Sequence, residues 1–349
     1  MRNNWWKFLG VALVTLGMLV GMLTPLKPGI LSLSERSTTT GTSFTTVLRG
    51  YNTLFTQSQE QRAWLKLDST HLIQANKTTV ENDKVLNIQF DIPSHLPSTN
   101  KGAKASLIVD TDNDGYMVLP EAVFIQQDSI DSAMGSQLWN ASLKNLHQLE
   151  EFRFPFRPIL YETIRNTFYH ITLWFAMFIL LIAALVFSIK YLLNPSMQHD
   201  IKAAAFTKVA ILFGLMGVAT GSIWARFTWG AFWTSDVKLN MSAIAMLIYL
   251  AYLIFRSSIP DHDRRARLSA AYNIFAFVAM IPLIFVVPRL TDSLHPGNGG
   301  NPALGGEDMD NTLRMIFYPT IIGFTLLGVW ITSILVRFEL IKEKVLLEE

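Results

Sequence analysis

The chain of 349 residues contains no cysteine. That excludes structural disulfides, thiolate metal sites and a redox dithiol. Charge is also scarce. Only 16% of the residues are charged while 50% are hydrophobic, and the mean hydropathy is +0.29. These values exclude an ordinary soluble domain and point to an integral membrane protein. The net charge of +2 carries no message about nucleic acid, and no polar segment shows a basic patch interleaved with aromatics. The glycine-rich stretch from Gly297 to Gly306 lacks a following Lys-Ser/Thr pair. A phosphate loop is therefore excluded, and a lid or docking segment is the reading it leaves.

Long apolar runs, by contrast, are plentiful. A spanning helix needs about 20 mainly apolar residues. Six segments meet that need: 8–25, 170–193, 206–225, 240–256, 270–288 and 313–336. The first follows Arg2 and Lys7 as a signal peptide would, yet Pro25 and Pro28 follow it without a small-x-small cleavage site. It is read as a retained first helix. Tyr318-Pro319 is expected to kink the last one. With the N-terminus inside, the cytoplasmic side collects Arg2, Lys7, Lys190, Lys202, Lys208, Arg256, Arg264, Arg265, Arg267, Arg337, Lys342 and Lys344. The short outer loops and helix ends hold only Arg165, Arg226, Lys238, Arg289 and Arg314. This bias places both termini in the cytoplasm.

Residues 27–160 form a long polar insertion between the first two apolar segments. TTVLRGY, AWLKLD, VLNIQFDI, ASLIVD and YMVLPEAVFI alternate or carry β-branched runs, which predicts strands. Asn82-Asp83 and Asn113-Asp114-Gly115 suit hairpin turns. A small β-sandwich or barrel is expected, with a helix over Ser129–Leu149. Asp110, Asp112, Asp114, Gly115 and Glu121 match the spacing of a calcium loop. The flanking segments read as strands, so a tight polar hairpin is the preferred reading and a calcium turn the alternative. The fold class is thus an all-α polytopic membrane protein of about six transmembrane helices, with an inserted extracytoplasmic β-rich domain. Its parts are a first helix (1–26), the insertion (27–160) and a five-helix membrane domain (161–349).

The run GSIWARFTWGAFWTSD, Gly221 to Asp236, lies between two apolar segments on the outer side. An aromatic belt explains one or two tryptophans at such a depth. Five large rings around a Gly-Ala pair suggest instead an apolar surface for a flat partner. The run resembles the tryptophan-rich signature of the CcmC/CcsA family of haem-handling cytochrome c biogenesis proteins, roughly W-A-x-x-x-W-G-x-x-W-x-W-D. Trp224, Ala225, Trp229, Gly230, Trp233 and Asp236 match it. Phe232 adds a ring before Trp233, and Ser235 replaces the last tryptophan. The resemblance covers the membrane portion and leaves the insertion aside.

What the resemblance implies is a carrier of haem rather than an enzyme. Without cysteine there is no CxxCH for thioether attachment, so haem b would be held transiently by coordination and packing. Of seven histidines, the topology leaves only His170 and His295 both outside and near the membrane. In the family two outer histidines flank the tryptophan-rich segment in this order, so these two are carried over as axial ligands. Trp224, Trp229, Gly230, Phe232 and Trp233 would pack the disc, with Asp236 orienting a tryptophan N–H or capping a helix. Arg226, with Lys238 and Arg289, would receive the propionates. The implied setting is the outer face of a bacterial cytoplasmic membrane, in contact with lipid. The implied partners are a haem chaperone or cytochrome c synthetase components, and in some systems ABC-transporter subunits. Nucleic acid is not among them. Two other classes stay open: a membrane b-type haem redox protein, and a membrane-anchored sensor with a β ligand-binding domain.

Overall fold

The computed structural model describes residues 4–158, 160–295, 304–305 and 309–348. Most of the glycine-rich stretch Gly297–Gly306 lies outside the described residues. The chain divides into two compact units, Pro25–Tyr161 and Met1–Thr24 with Glu162–Glu349.

The first unit is a β-sandwich, so the chain as a whole is not all-α; that term fits only the membrane unit. One sheet has the order β1-β3-β7-β6, from Gly29–Leu33, Ser43–Tyr51, Val85–Asp91 and Lys77–Asn82. The other has the order β2-β9-β8-β4-β5, from Ser37–Thr39, Gly115–Gln126, Gly102–Thr111, Gln61–Lys66 and Leu72–Gln74. Alternation explains the packing. Leu86, Ile88 and Phe90 of β7 point inward and meet Leu107 and Val109 of β8 in one buried cluster. All five expected strand segments fall on strands, and both expected turns join hairpins.

The helix expected over Ser129–Leu149 is shorter than that. Only Ser132–Leu138 is helical (α2), capped by the Asp131 side chain on the Met134 N–H. Beyond it the chain straps the sheet. Ala141 donates to the Leu72 carbonyl, and Ala141, Leu143 and Leu146 cover Trp64, Leu72 and Ile108. Burying those three residues of the sheet outweighs the weak helical spacing of the strap.

The carboxylates of the calcium spacing are engaged by protein partners. Asp110 is fully buried, paired with Arg62 Nη2 at 2.5 Å and with His147 Nδ1 at 3.0 Å. Asp112 accepts from the Gln59 and Glu60 N–H groups, Asp114 from Leu54, and Glu121 binds Lys104. No cluster of three metal-ligating side chains occurs among the described residues. Millimolar calcium is therefore expected to leave the melting temperature of the full chain unchanged. Arg62→Met, which removes the guanidinium from the buried Asp110 carboxylate and leaves it to the His147 N–H and ring, should destabilise the β unit by roughly 3–5 kcal/mol. Thermal unfolding followed by circular dichroism in the β region reads both.

The second unit is helical. It comprises α1 (Trp5–Leu23), α3 (His170–Leu193), α4 (Met197–Trp229), α5 (Val237–Ser257), α6 (His262–Ile281) and α7 (Asn311–Glu348). Among the described residues, six helices are long and apolar enough to cross a membrane. A buried bidentate pair, Arg256 with Asp200 at 2.6 and 2.7 Å, ties the end of α5 to the start of α4. Pro319 sits inside α7, where the next residue, Thr320, donates to the Ile316 carbonyl at 2.7 Å.

Two departures from expectation shape the site. The spanning segment expected to end at residue 225 continues as α4 to Trp229, so only Gly230–Asp236 of the tryptophan run connects it to α5. Gly230 stops α4 with φ +81°, a left-handed conformation that costs a side-chain-bearing residue about 1–2 kcal/mol. The segment expected as a helix to residue 288 breaks at Pro282. There the chain widens into a π turn, Pro282–Val286, and then tightens through Val287–Arg289. Proline lacks the N–H that would continue the ladder.

Candidate functional site

His170 opens α3. Its Nδ1 lies 2.8 Å from the Gly217 carbonyl oxygen. A carbonyl only accepts, so Nδ1 carries the proton and Nε2 keeps its lone pair. The ring reaches that carbonyl because α4 presents glycines one turn apart. A Cβ on Gly221 would lie 2.4 Å from His170 Cε1, and one on Gly217 would lie 3.0 Å from Trp174 Nε1. Trp174 stands edge-on to the imidazole, with centroids 6.3 Å apart.

His295 is held by Asp236, 3.0 Å from its Nδ1. The same carboxylate caps α5 through the Lys238 N–H at 2.9 Å and accepts from the Leu294 N–H at 2.7 Å. One buried side chain thus fixes the start of α5 and the segment that carries His295. Burial pushes the Asp236 carboxyl up, but the Leu294 N–H, the Ser293 hydroxyl, His295 and the Lys238 N–H together hold it below the ordinary carboxylate value. It stays ionised, so His295 Nδ1 is again the donor and Nε2 the open nitrogen. Burial, helped by the nearby Lys238 charge, lowers the His295 pKa despite the opposing pull of Asp236. The ring therefore remains neutral, and able to ligate a metal, below the pH at which a free histidine protonates.

Both histidines line one cavity of about 490 Å³, with Trp174, Trp233, Lys238 and Arg289 also in its wall. That volume lies within the range of small-molecule sites. Of the eleven residues singled out from the sequence, His170, His295, Trp233, Lys238 and Arg289 line it. Trp224 and Trp229 stand against His295 instead, with centroids at 5.8 and 4.7 Å. They pack edge-on to each other at 5.0 Å, and Trp224 Nε1 donates to Thr163 Oγ1 at 3.2 Å. Their geometry positions the imidazole rather than supplying cavity wall. Asp236 caps α5 and orients His295; no tryptophan N–H is among its described partners. Arg226 bonds the Gly230 carbonyl and sits 6.0 Å from the exposed Phe232 ring. That bond satisfies a carbonyl at the end of α4 and leaves Lys238 and Arg289 as the cations of the cavity wall. Sequence reasoning gave no role to Gly217, Gly221, Trp174 or Phe178. The repeat of Gly217 and Gly221 at i, i+4 was the available signal, since paired small residues let neighbours approach closely.

Asp236→Asn keeps the shape and removes the charge. It is expected to lower ligand affinity by about 10–100-fold, the usual effect of losing the group that orients a ligating histidine. Optical titration of the purified variant and native protein with the haem that the resemblance implies checks it.

The fold and site define a multi-pass membrane protein whose helices and connections bring two histidines and two tryptophans to one cavity. The family model described as "CcmC: Heme exporter protein C" matches residues 159–348, more than half the chain. The chain belongs to that family. It is similar to Heme exporter protein C of Haemophilus influenzae, with 26% identity over 189 residues, 53% of this chain and 72% of the relative. Similarity to Heme exporter protein C of Bradyrhizobium diazoefficiens is 26% over 188 residues, 52% of this chain and 69% of the relative. A shorter match, 33% over 85 residues, links it to Cytochrome c biogenesis protein CcsA of Prochlorococcus marinus, covering 24% of this chain and 27% of that one.

Proposed function

We propose that the chain binds haem b, non-covalently and transiently, in the cavity between His170 and His295. It then passes the haem on during c-type cytochrome biogenesis. One observation carries this reading. Two imidazoles in one cavity wall each have Nδ1 tied to an acceptor, so each offers Nε2 to iron. Haem iron takes imidazole as an axial ligand, and the apolar wall suits the porphyrin face. Lys238 and Arg289 provide positive charge for the two propionates. Nothing here attaches the porphyrin covalently, so it can leave, as a handler requires. The chain acts as a carrier and not as an enzyme. Its acceptors are a haem chaperone or cytochrome c synthetase components, with ABC-transporter subunits as further partners.

The site faces the outer side of a bacterial cytoplasmic membrane in this reading, with the β unit on the same side and both termini inside. The bias of basic residues supports it. Reporter fusions after Arg267 should be cytoplasmic and fusions after Asp292 external; the reverse pattern would place the site in the cytosol. The haem reading is tested by loading purified chain with haem and extracting it with acidified acetone. The pigment should leave the protein and give a b-type pyridine haemochrome, whereas a chain that takes up no haem would contradict the reading.

A further inference from the structure

The cavity continues past the histidines. From His170 its wall follows α3 through Trp174, Phe178 and Ile182, each four residues apart on one face. At 1.5 Å per residue this is about 18 Å of helix. The facing wall is Ile284, Phe285 and Pro288, from the π turn Pro282–Val286 and the short turn after it. The two walls meet where the Phe178 and Phe285 rings stand 5.1 Å apart.

Phe175, Ile179, Ile182 and Phe285 line this cavity and yet are 39–47% exposed. Residues that face a cavity and the outside at once mark its opening. All four lie on helical segments apolar enough to span a membrane, so the opening faces acyl chains. The polar residues of the wall, Ser222, Lys238, Ser242 and Arg289, lie near helix ends, at interfacial depth.

We infer that haem reaches the histidines sideways from the bilayer, edge-on between α3 and Pro282–Val286, with the Phe178–Phe285 ring pair as the gate. This rests on the haem reading above. The route keeps the apolar disc in apolar surroundings throughout. The propionates travel at the interface, toward Lys238 and Arg289, and no carboxylate crosses the membrane core. The π turn gives the gate a backbone outside the regular helical ladder, a feature that recurs at functional sites.

The absence of native cysteine makes the test clean. Full-length chain carrying Phe178→Cys and Phe285→Cys is placed in liposomes and joined across the gate by a reducible bis-thiosulfonate reagent. Haem is offered either dissolved in the same bilayer or bound to albumin in water, and uptake is followed by absorbance. Cross-linking should slow uptake from the bilayer by about tenfold or more, a barrier increase of about 1.4 kcal/mol. A reductant should restore the rate, and the final spectrum should not change. Ile182→Trp, which narrows the same opening without cysteines, should also slow it. Normal binding at a rate indifferent to both the cross-link and Ile182→Trp would overturn the route alone. A chain that binds haem from neither source would overturn the haem reading and the route with it.

Discussion

Chain carrying both His170→Ala and His295→Ala should purify without haem and fail to take it up when haemin is added. Each single replacement should leave the other imidazole in place, giving partial occupancy and a high-spin, five-coordinate spectrum. The reasoning is local. Each ring is fixed by its Nδ1 hydrogen bond and offers only Nε2, and no other histidine among the described residues lines the cavity. The loss per residue should exceed the roughly 10–100-fold seen when only the orienting group behind a ligand is removed. His262→Ala, at the start of α6, should change nothing. Optical titration with haemin distinguishes these outcomes.

Gly221→Val should act almost as strongly, although Gly221 touches no iron in this account. The first atom of any side chain there would sit 2.4 Å from His170 Cε1 and 2.8 Å from its Nδ1. The imidazole must then leave the Gly217 carbonyl, and with it the orientation that presents Nε2. The expected spectrum is that of His170→Ala: high-spin, with His295 retained. Gly230→Ala makes the contrast. A Cβ at Gly230 meets nothing within 4 Å, but the backbone there has φ +81°. That change should cost about 1 kcal/mol of stability and leave the spectrum intact. Measuring melting temperature and haem spectrum for both variants separates a packing role from a backbone role.

Much of this was legible in the residues. Apolar length alone located the spanning helices, because a bilayer imposes a minimum run that few other structures need. Period-two alternation located the strands of the sandwich, since each has one buried face. The pairing of His170 with His295 came from resemblance, and the structure brings both to one cavity. Other features were hidden because they depend on contacts distant in sequence. The strap after α2 exists to cover Trp64 and Ile108, which no local pattern announces. Asp110 fits a calcium spacing as well as a polar hairpin in sequence, and only Arg62, 48 residues away, shows what holds it. The tryptophans looked like one surface in sequence. The helical continuation of α4 separates them, leaving Trp233 on the cavity and placing Trp224 and Trp229 behind His295. Arg226 was chosen for nearness in sequence, yet its position in the last turn of α4 sends it to the Gly230 carbonyl.

The account turns on two imidazoles holding one iron in this cavity. Low-temperature electron paramagnetic resonance of the ferric, haem-loaded full-length chain tests it most directly. The account predicts a low-spin signal with two imidazole ligands, converted to high-spin by either His170→Ala or His295→Ala. A low-spin bis-imidazole signal that survives the double replacement, or a native chain that never acquires haem, would contradict it.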